Sequence, residues 1–487
     1  MSGTVKGLIA GIATIVVLGG GIAALKLTEP KPDTGVPDPS VSYSDNLTIY
    51  NGNANDIKSI SVKNTNGGYK LIRTAEVTET KMPEYKIEGL ENVKLNDTIV
   101  GSLPANVATL EALKVIEEDA ADMSKYGLDK SDIEATIEFD GEDAKTVTLV
   151  VGNDTAEGNV YVALKGEKTV YTVSSSLVSS YVYEKEYFVS LVCVEEPPED
   201  DYPIVQSVTV DQKALEYDIV FEYDPESDSD DELGGTTASH VMTSPVDAYL
   251  NISDSVNYTH GIFGLRASTV LSISPTEEEL KVAGIDDPVC TVTTTLDDGS
   301  SYVLKIGIEY GEEGNTGYIG YLEGTDILWL FDKGSLPWVG MVPEDAMASL
   351  IFGTYIYDLS SLTLITDAGT RAFVFDGNSA DDYLVLLDGR EYDLERYRNF
   401  YQALISAPAE QIYLDDLGAT KKIATVILEK NDGSESETVE FFDAGNREVI
   451  ISKNGKVSFK SRASYIEKAF LPNIERLDTD EEFVTNW

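Results

Sequence analysis

One short pattern recurs three times along this chain, and it restricts the fold more than any other feature. Tyr126-Gly127-Leu128-Asp129 precedes the strand-like run 133–139, then the acidic turn Asp140-Gly141-Glu142-Asp143, then a second run closing on Gly152. Ala283-Gly284-Ile285-Asp286 precedes the run 289–296, the turn Asp297-Asp298-Gly299-Ser300 and a run closing on Gly307. A weaker copy has Asp416-Leu417-Gly418-Ala419, the run 423–429, Asn431-Asp432-Gly433-Ser434 and the run 438–442. Asp-Gly and Asn-Gly between alternating apolar residues mark tight hairpins, because such turns need positive φ. Each copy continues into a hairpin and a helix start, over 160–181, 317–339 and 448–470, the last with Asn454-Gly455 at its tip.

Helical spacing precedes the hairpins in two copies. Leu110, Leu113, Val115 and Ile116 predict a helix over 107–123, and Tyr397, Phe400, Tyr401 and Leu404 predict one over 394–406. In the middle copy the corresponding stretch, 259–273, shows no clear period. Strand pairs such as 59–73 lie upstream. The expected fold class is α+β: an N-terminal transmembrane helix, then repeated modules of antiparallel hairpins and sheets with a packed helix. The expected division is a leader and anchor over 1–28, a Pro-rich linker over 29–45, and modules over 46–195, 203–350 and 354–480, the second with an acidic insertion.

The anchor rests on the 19 residues Gly7–Leu25, a continuous uncharged run between Lys6 and Lys26. A helix of about 20 apolar residues spans a bilayer core. The leader is positive and everything after the run is acidic, so the bulk of the chain is expected outside the cytoplasm, on a single-pass anchor in the cell membrane. A cleaved signal peptide is the rival reading, with Gly21-Ile22-Ala23 as the small-residue site. The stretch from Glu29 to Ser40 carries four prolines and reads as a semi-rigid spacer.

The formal net charge is −49. Such a surface repels nucleic acid by long-range Coulomb force, so no nucleic-acid partner is expected. Two cysteines, Cys193 and Cys290, are too few for a disulfide framework and read as buried free thiols. The two histidines, His240 and His260, stand far from both in sequence and give no zinc spacing. Gly314, Gly317 and Gly320 fit a dinucleotide fingerprint only if it is stretched, and they lie between strands. The acidic run 224–235 offers carboxylates for a cation. Leu233 stands where a calcium loop needs Gly, so a solvated loop is the better reading. No catalytic, cofactor-binding or metal residue is assigned, and no cofactor is expected.

The segments Ile60-Ser61-Val62 with Gly68-Tyr69-Lys70-Leu71, Tyr126-Gly127-Leu128, Leu149-Val150-Val151-Gly152 and Val170-Tyr171-Thr172-Val173 resemble the family of domain of unknown function 4340. The resemblance is best over 57–190 and thinner over 206–350 and 370–477. It implies a membrane-anchored extracytoplasmic bacterial protein, an accessory beside ABC-type export systems, and it carries no catalytic residues. The expectation is therefore a non-catalytic binding or assembly protein, with an ABC-type transporter or another envelope protein as partner. A glycan or small-ligand module is the alternative, with Trp329 and Trp338 near one module's edge and exposed tyrosines for sugar stacking. An envelope hydrolase is the weaker one.

Overall fold

The computed structural model describes residues 47–75, 83–141, 144–225, 238–312, 315–377, 379 and 382–487. The anchor and linker of the sequence reading lie outside the described residues, as does most of the acidic run 224–235. Among the described residues, no helix is long and apolar enough to cross a membrane.

The first segment holds strands β1 (Leu47–Tyr50), β2 (Ile57–Lys63), β3 (Tyr69–Arg73) and β4 (Tyr85–Ile87), helix α1 (Asp97–Val107), then β5 (Leu110–Ala112), β6 (Lys114–Glu117), β7 (Ile133–Phe139), β8 (Lys145–Asp154), β9 (Asn159–Leu164) and β10 (Val170–Ser174). The second holds β11 (Val205–Gln212), β12 (Ile219–Tyr223), β13 (His240–Ser244), β14 (Ala248–Tyr249), α2 (Ile252–Thr259), β15 (Thr269–Ile273), α3 (Glu277–Val282), β16 (Cys290–Leu296), β17 (Ser301–Glu312), β18 (Asn315–Leu322), β19 (Ile327–Asp332) and α4 (Pro343–Ala346). The third holds β20 (Leu359–Thr366), β21 (Gly369–Asp376), β22 (Leu384–Leu387), β23 (Arg390–Glu391), α5 (Leu394–Ile405), β24 (Gln411–Ile412), β25 (Lys421–Lys430), β26 (Glu437–Gly445), β27 (Glu448–Lys453), β28 (Lys456–Arg462) and α6 (Leu471–Glu475).

Each segment winds into one large antiparallel sheet, so the class is α+β and rich in sheet. The strand orders are 4-3-2-7-8-9-10-6, then 14-13-12-11-16-17-18-19-15, then 23-22-21-20-25-26-27-28-24. The same path is drawn three times. Among the described residues, the first copy lacks only the outer strand that β14 and β23 supply. The alternation seen in the sequence becomes burial. In β16 the pattern Cys-Thr-Val-Thr-Thr-Thr-Leu buries every second residue on the core face. One continuous apolar core runs through all three sheets, from Tyr50 to Leu477.

The predicted helix over 107–123 is not there. The helix lies upstream at α1, where the Asn96 side chain accepts from the Ile99 N–H and Asp97 favours the positive end. Pro104 inside α1 hid it from a propensity reading. Residues 110–117 are strands instead. Leu110 pairs with Tyr50, and Val115 with Tyr171. The spacing of the aliphatics was coincidental, and Glu117, Glu118, Asp119 and Asp122 would have crowded the negative end of that helix. The predicted helix over 394–406 is present as α5, capped by Asp393. In the middle copy the helix is α2, capped by Asn251, and 269–273 is a strand.

The Gly-aliphatic-Asp element is a small lid on the back of the sheet. In the first copy, Gly127 turns the chain at φ 72°, and Tyr126 and Leu128 pack on Val150, Ala163 and Val170. A Cβ on Gly152 would stand 2.2 Å from the Tyr126 carbonyl oxygen, so only glycine admits the loop. The second copy repeats this with Ala283 and Ile285 on Leu271, Ile319 and Leu328, and a Cβ on Gly307 would meet the Ala283 oxygen at 1.9 Å. In the third copy Phe442 stands at the same register position, and the Asp416–Ala419 stretch stays largely exposed.

Candidate functional site at the module junctions

One cluster of chemistry-bearing side chains lies where the second sheet meets the third. At the junction of the second and third sheets, Lys453 on β27 and Glu437 on β26 form an ion pair, Nζ to Oε1 2.9 Å, with side chains only 8% and 7% exposed. The ammonium sits 4.1 Å from the centre of the Tyr249 ring, which β14 of the second sheet supplies. It also donates to the Ile351 carbonyl at 3.3 Å. Thr354 donates to Glu437 Oε2 at 3.2 Å, and Tyr401 donates to the Thr354 carbonyl. Gly353 makes room for the ring, since a Cβ there would lie 2.3 Å from it.

Burial by itself would push the Lys453 amine down. Glu437, with Tyr249, outweighs it and holds the ammonium above its ordinary value. Burial pushes the Tyr249 hydroxyl up. A lysine so held keeps its proton and offers no lone pair, so this arrangement suits a structural ion pair and not a nucleophile.

Within the second segment the two histidines meet, their ring centres 5.3 Å apart and nearly perpendicular. Sequence distance gave no hint of this: β13 carries His240, and His260 caps the C-terminal end of α2. Buried His240 points Nε2 at the Val205 carbonyl, 2.8 Å away, which requires the proton on that nitrogen. Thr259 donates its hydroxyl to Ser255, so it accepts from His260 Nδ1 at 2.8 Å. Tyr202 and Phe263 pack around the His260 ring. Both cysteines are free. Cys290 is buried in β16, whereas Cys193 is half-buried and lies outside any strand, beside the bridge between Val192 and Arg266. Burial pushes both thiols up to about 12. Among the described residues, no group of three or more His, Cys, Asp or Glu side chains stands close enough to hold a metal ion.

One sequence expectation about ligands is corrected here. Trp329 and Trp338 are core residues, and the Trp338 indole donates to the Tyr258 carbonyl at 2.8 Å, so neither is a sugar-stacking platform. Gly317 and Gly320 lie inside β18, where a Cβ would strike the Phe331 carbonyl or ring, so they serve sheet packing. The Lys453–Glu437–Tyr249 cluster was missed altogether. A lysine at the end of a strand beside Asn454-Gly455 reads as a hairpin-tip residue, and only docking of the second sheet buries it.

The family model described as Domain of unknown function (DUF4340) matches residues 85–190. Comparison with curated proteins and with solved structures gives no match. The matched stretch runs from β4 to the turn after β10. The stretch that matches the DUF4340 family model thus lies in the first of three units, and the second and third sheets repeat the path of the first.

Proposed function

We propose that the chain is a non-catalytic, membrane-tethered extracytoplasmic protein that works by binding or assembly, with an ABC-type transporter or another envelope protein as its partner. The observation that carries this reading is the use made of the reactive side chains. His240 packs against His260, Lys453 is paired with Glu437 beneath the Tyr249 ring of the second sheet, and of the two free thiols Cys290 is buried and Cys193 half-buried. The apolar run Gly7–Leu25, with its positive leader and the acidic body after it, supports the tether. A chain of net charge −49 favours a partner with a basic face.

Affinity purification of the intact chain from detergent-solubilised membranes tests the reading. Recovery of a transporter or envelope component supports it, and recovery from the soluble fraction with none of these overturns it. Protease added to intact cells checks the topology: the acidic body is expected to be digested from outside.

A further inference from the structure

Charge is unevenly shared along the chain. Residues 203–350 carry 27 of its 85 acidic residues and only 5 of its 36 basic ones. A partner with a basic face is therefore drawn first to the second segment, and helix α2 shows where it would stay.

The same helix is built three times, so its outer face can be compared position by position. The caps Asn96, Asn251 and Asp393 set the register of α1, α2 and α5. Four residues past each cap, Val100, Ser255 and Tyr397 are all buried. One and five residues past the cap the copies part. In α1 these are Asp97 and Gly101, both exposed. In α5 they are half-buried Leu394 and Arg398, whose guanidinium donates to the Tyr357 hydroxyl and lies 5.6 Å from the centre of that ring. In α2 they are Ile252 and Val256, 53% and 49% exposed. Residues four apart share a helix face, and a surface helix ordinarily turns its polar side outward. The next residue along this stripe is His260, and its ring meets that of Tyr202, centres 6.0 Å apart. Tyr202 and Ile204, which lead into β11, are 38% and 42% exposed. Single exposed aliphatics are ordinary; a stripe continued by an exposed aromatic makes a patch.

The rim of this patch is acidic. Glu195-Glu196-Pro197-Pro198-Glu199-Asp200-Asp201 runs directly into Tyr202, with five carboxylates in seven residues. Glu195 pairs with Lys94, and Glu196 accepts from the Tyr202 hydroxyl at 3.1 Å. Glu199, Asp200 and Asp201 are exposed and form no ion pair among the described residues. Exposed Asp297, whose N–H donates to the Ile204 carbonyl, adds another negative group. Like charge disfavours the other occupants of an apolar patch. A second copy would bring its own acidic rim against this one, and anionic lipid headgroups would be repelled.

Resting on the binding reading above, we propose that the α2–Tyr202 face is where the partner docks. It takes a basic amphipathic segment of that partner, with aliphatic side chains on Ile252 and Val256 and lysines or arginines against Glu199, Asp200 and Asp201.

Titration of a labelled synthetic peptide into the full-length chain tests this. The probe is a helix of Leu and Lys in amphipathic order, with a shuffled peptide of the same composition as its reference. Ile252→Ser with Val256→Ser is expected to weaken binding of the amphipathic peptide about tenfold. Glu199→Gln with Asp200→Asn and Asp201→Asn is expected to weaken it by a similar factor and to flatten its salt dependence. Ile365→Ser with Val374→Ser, two exposed aliphatics on the third sheet, should leave it unchanged. An unchanged urea midpoint shows each variant to be folded. Equal binding of the two peptides, no binding to the parent, or binding indifferent to Ile252 and Val256 overturns the proposal. So does self-association of the parent that the double variant abolishes, which would make a second copy the occupant. Affinity purification from membranes separates this face from the reading it rests on. An envelope partner recovered with the parent and lost with the Ile252/Val256 variant supports both. Equal recovery with the two removes the face and leaves the binding reading standing, and recovery with neither removes both.

Discussion

Lys453 and Glu437 occupy in the third module the register positions held by Leu164 and Val147 in the first and by Leu322 and Tyr302 in the second. The same corner of the same sheet is apolar twice and ionic once. In the first two modules the corner is finished by hydrophobic contact within or beside its own sheet. In the third it is finished by a neighbour, through the Tyr249 ring, the Ile351 carbonyl and the Thr354 hydroxyl. An apolar corner tolerates small displacements of what covers it. A buried ion pair does not, because displacement strands a charge in a medium of low dielectric. The difference assigns the ion pair to fixing how the second and third sheets dock, more than to strengthening either sheet.

The largest expected effect comes from breaking that pair on one side. Lys453→Met leaves Glu437 buried without its cation and should cost about 3–5 kcal/mol. Restoring the apolar corner with Lys453→Met and Glu437→Leu together should recover most of it. Urea unfolding of the two variants measures both, and a single variant as stable as the parent would show the pair to be hydrated.

The lids give the next effect. Gly307→Ala drives a Cβ into the Ala283 carbonyl and should cost about 1–3 kcal/mol, while Gly334→Ala, which meets nothing, should be near neutral. Equal midpoints for the two would remove the close-approach account of Gly152 and Gly307.

A smaller difference is expected with pH. Lys453 and Tyr249 both hold their protons more tightly folded than unfolded, where their ordinary values are 10.5 and 10.0. Their contribution is therefore complete below about pH 10 and is lost as pH rises through the raised folded values. Buried tyrosines elsewhere, such as Tyr50 and Tyr69, are shifted the same way, so the relevant quantity is parent against the Met/Leu double variant. The double variant should lose less stability between about pH 9 and pH 11.

The smallest effect is Tyr249→Phe. It keeps the ring beneath the ammonium and removes only the hydroxyl, for a change of about 1 kcal/mol in the same urea assay. A loss as large as that of Lys453→Met would move the weight of the junction from ion pair to hydroxyl.

Much of the fold was legible because hairpins are local. Asn454 and Gly455 take φ of 51° and 80°, as an Asn-Gly tip requires, and the alternation in 290–296 buries one face. Helix α5 was legible because its aromatic stripe is also its buried face. The segment 107–123 failed for a related reason: four aliphatics at helical spacing do not say whether anything will cover them, and on β6 little does.

The junction cluster was invisible because its members are separated by up to 204 positions, from Tyr249 to Lys453, and none is unusual in its own neighbourhood. The pairing of His240 with His260 was hidden likewise, since one sits on a strand and the other on a helix end. By itself the sequence determined the hairpins, the turn glycines and the threefold recurrence, because these depend on backbone conformation and side-chain period over a few residues. Tertiary structure alone decided which strand ends became interfaces and which lysine lost its water. Burial is a property of what arrives from elsewhere in the chain, and the desolvation that makes Lys453 matter begins only when the second sheet docks.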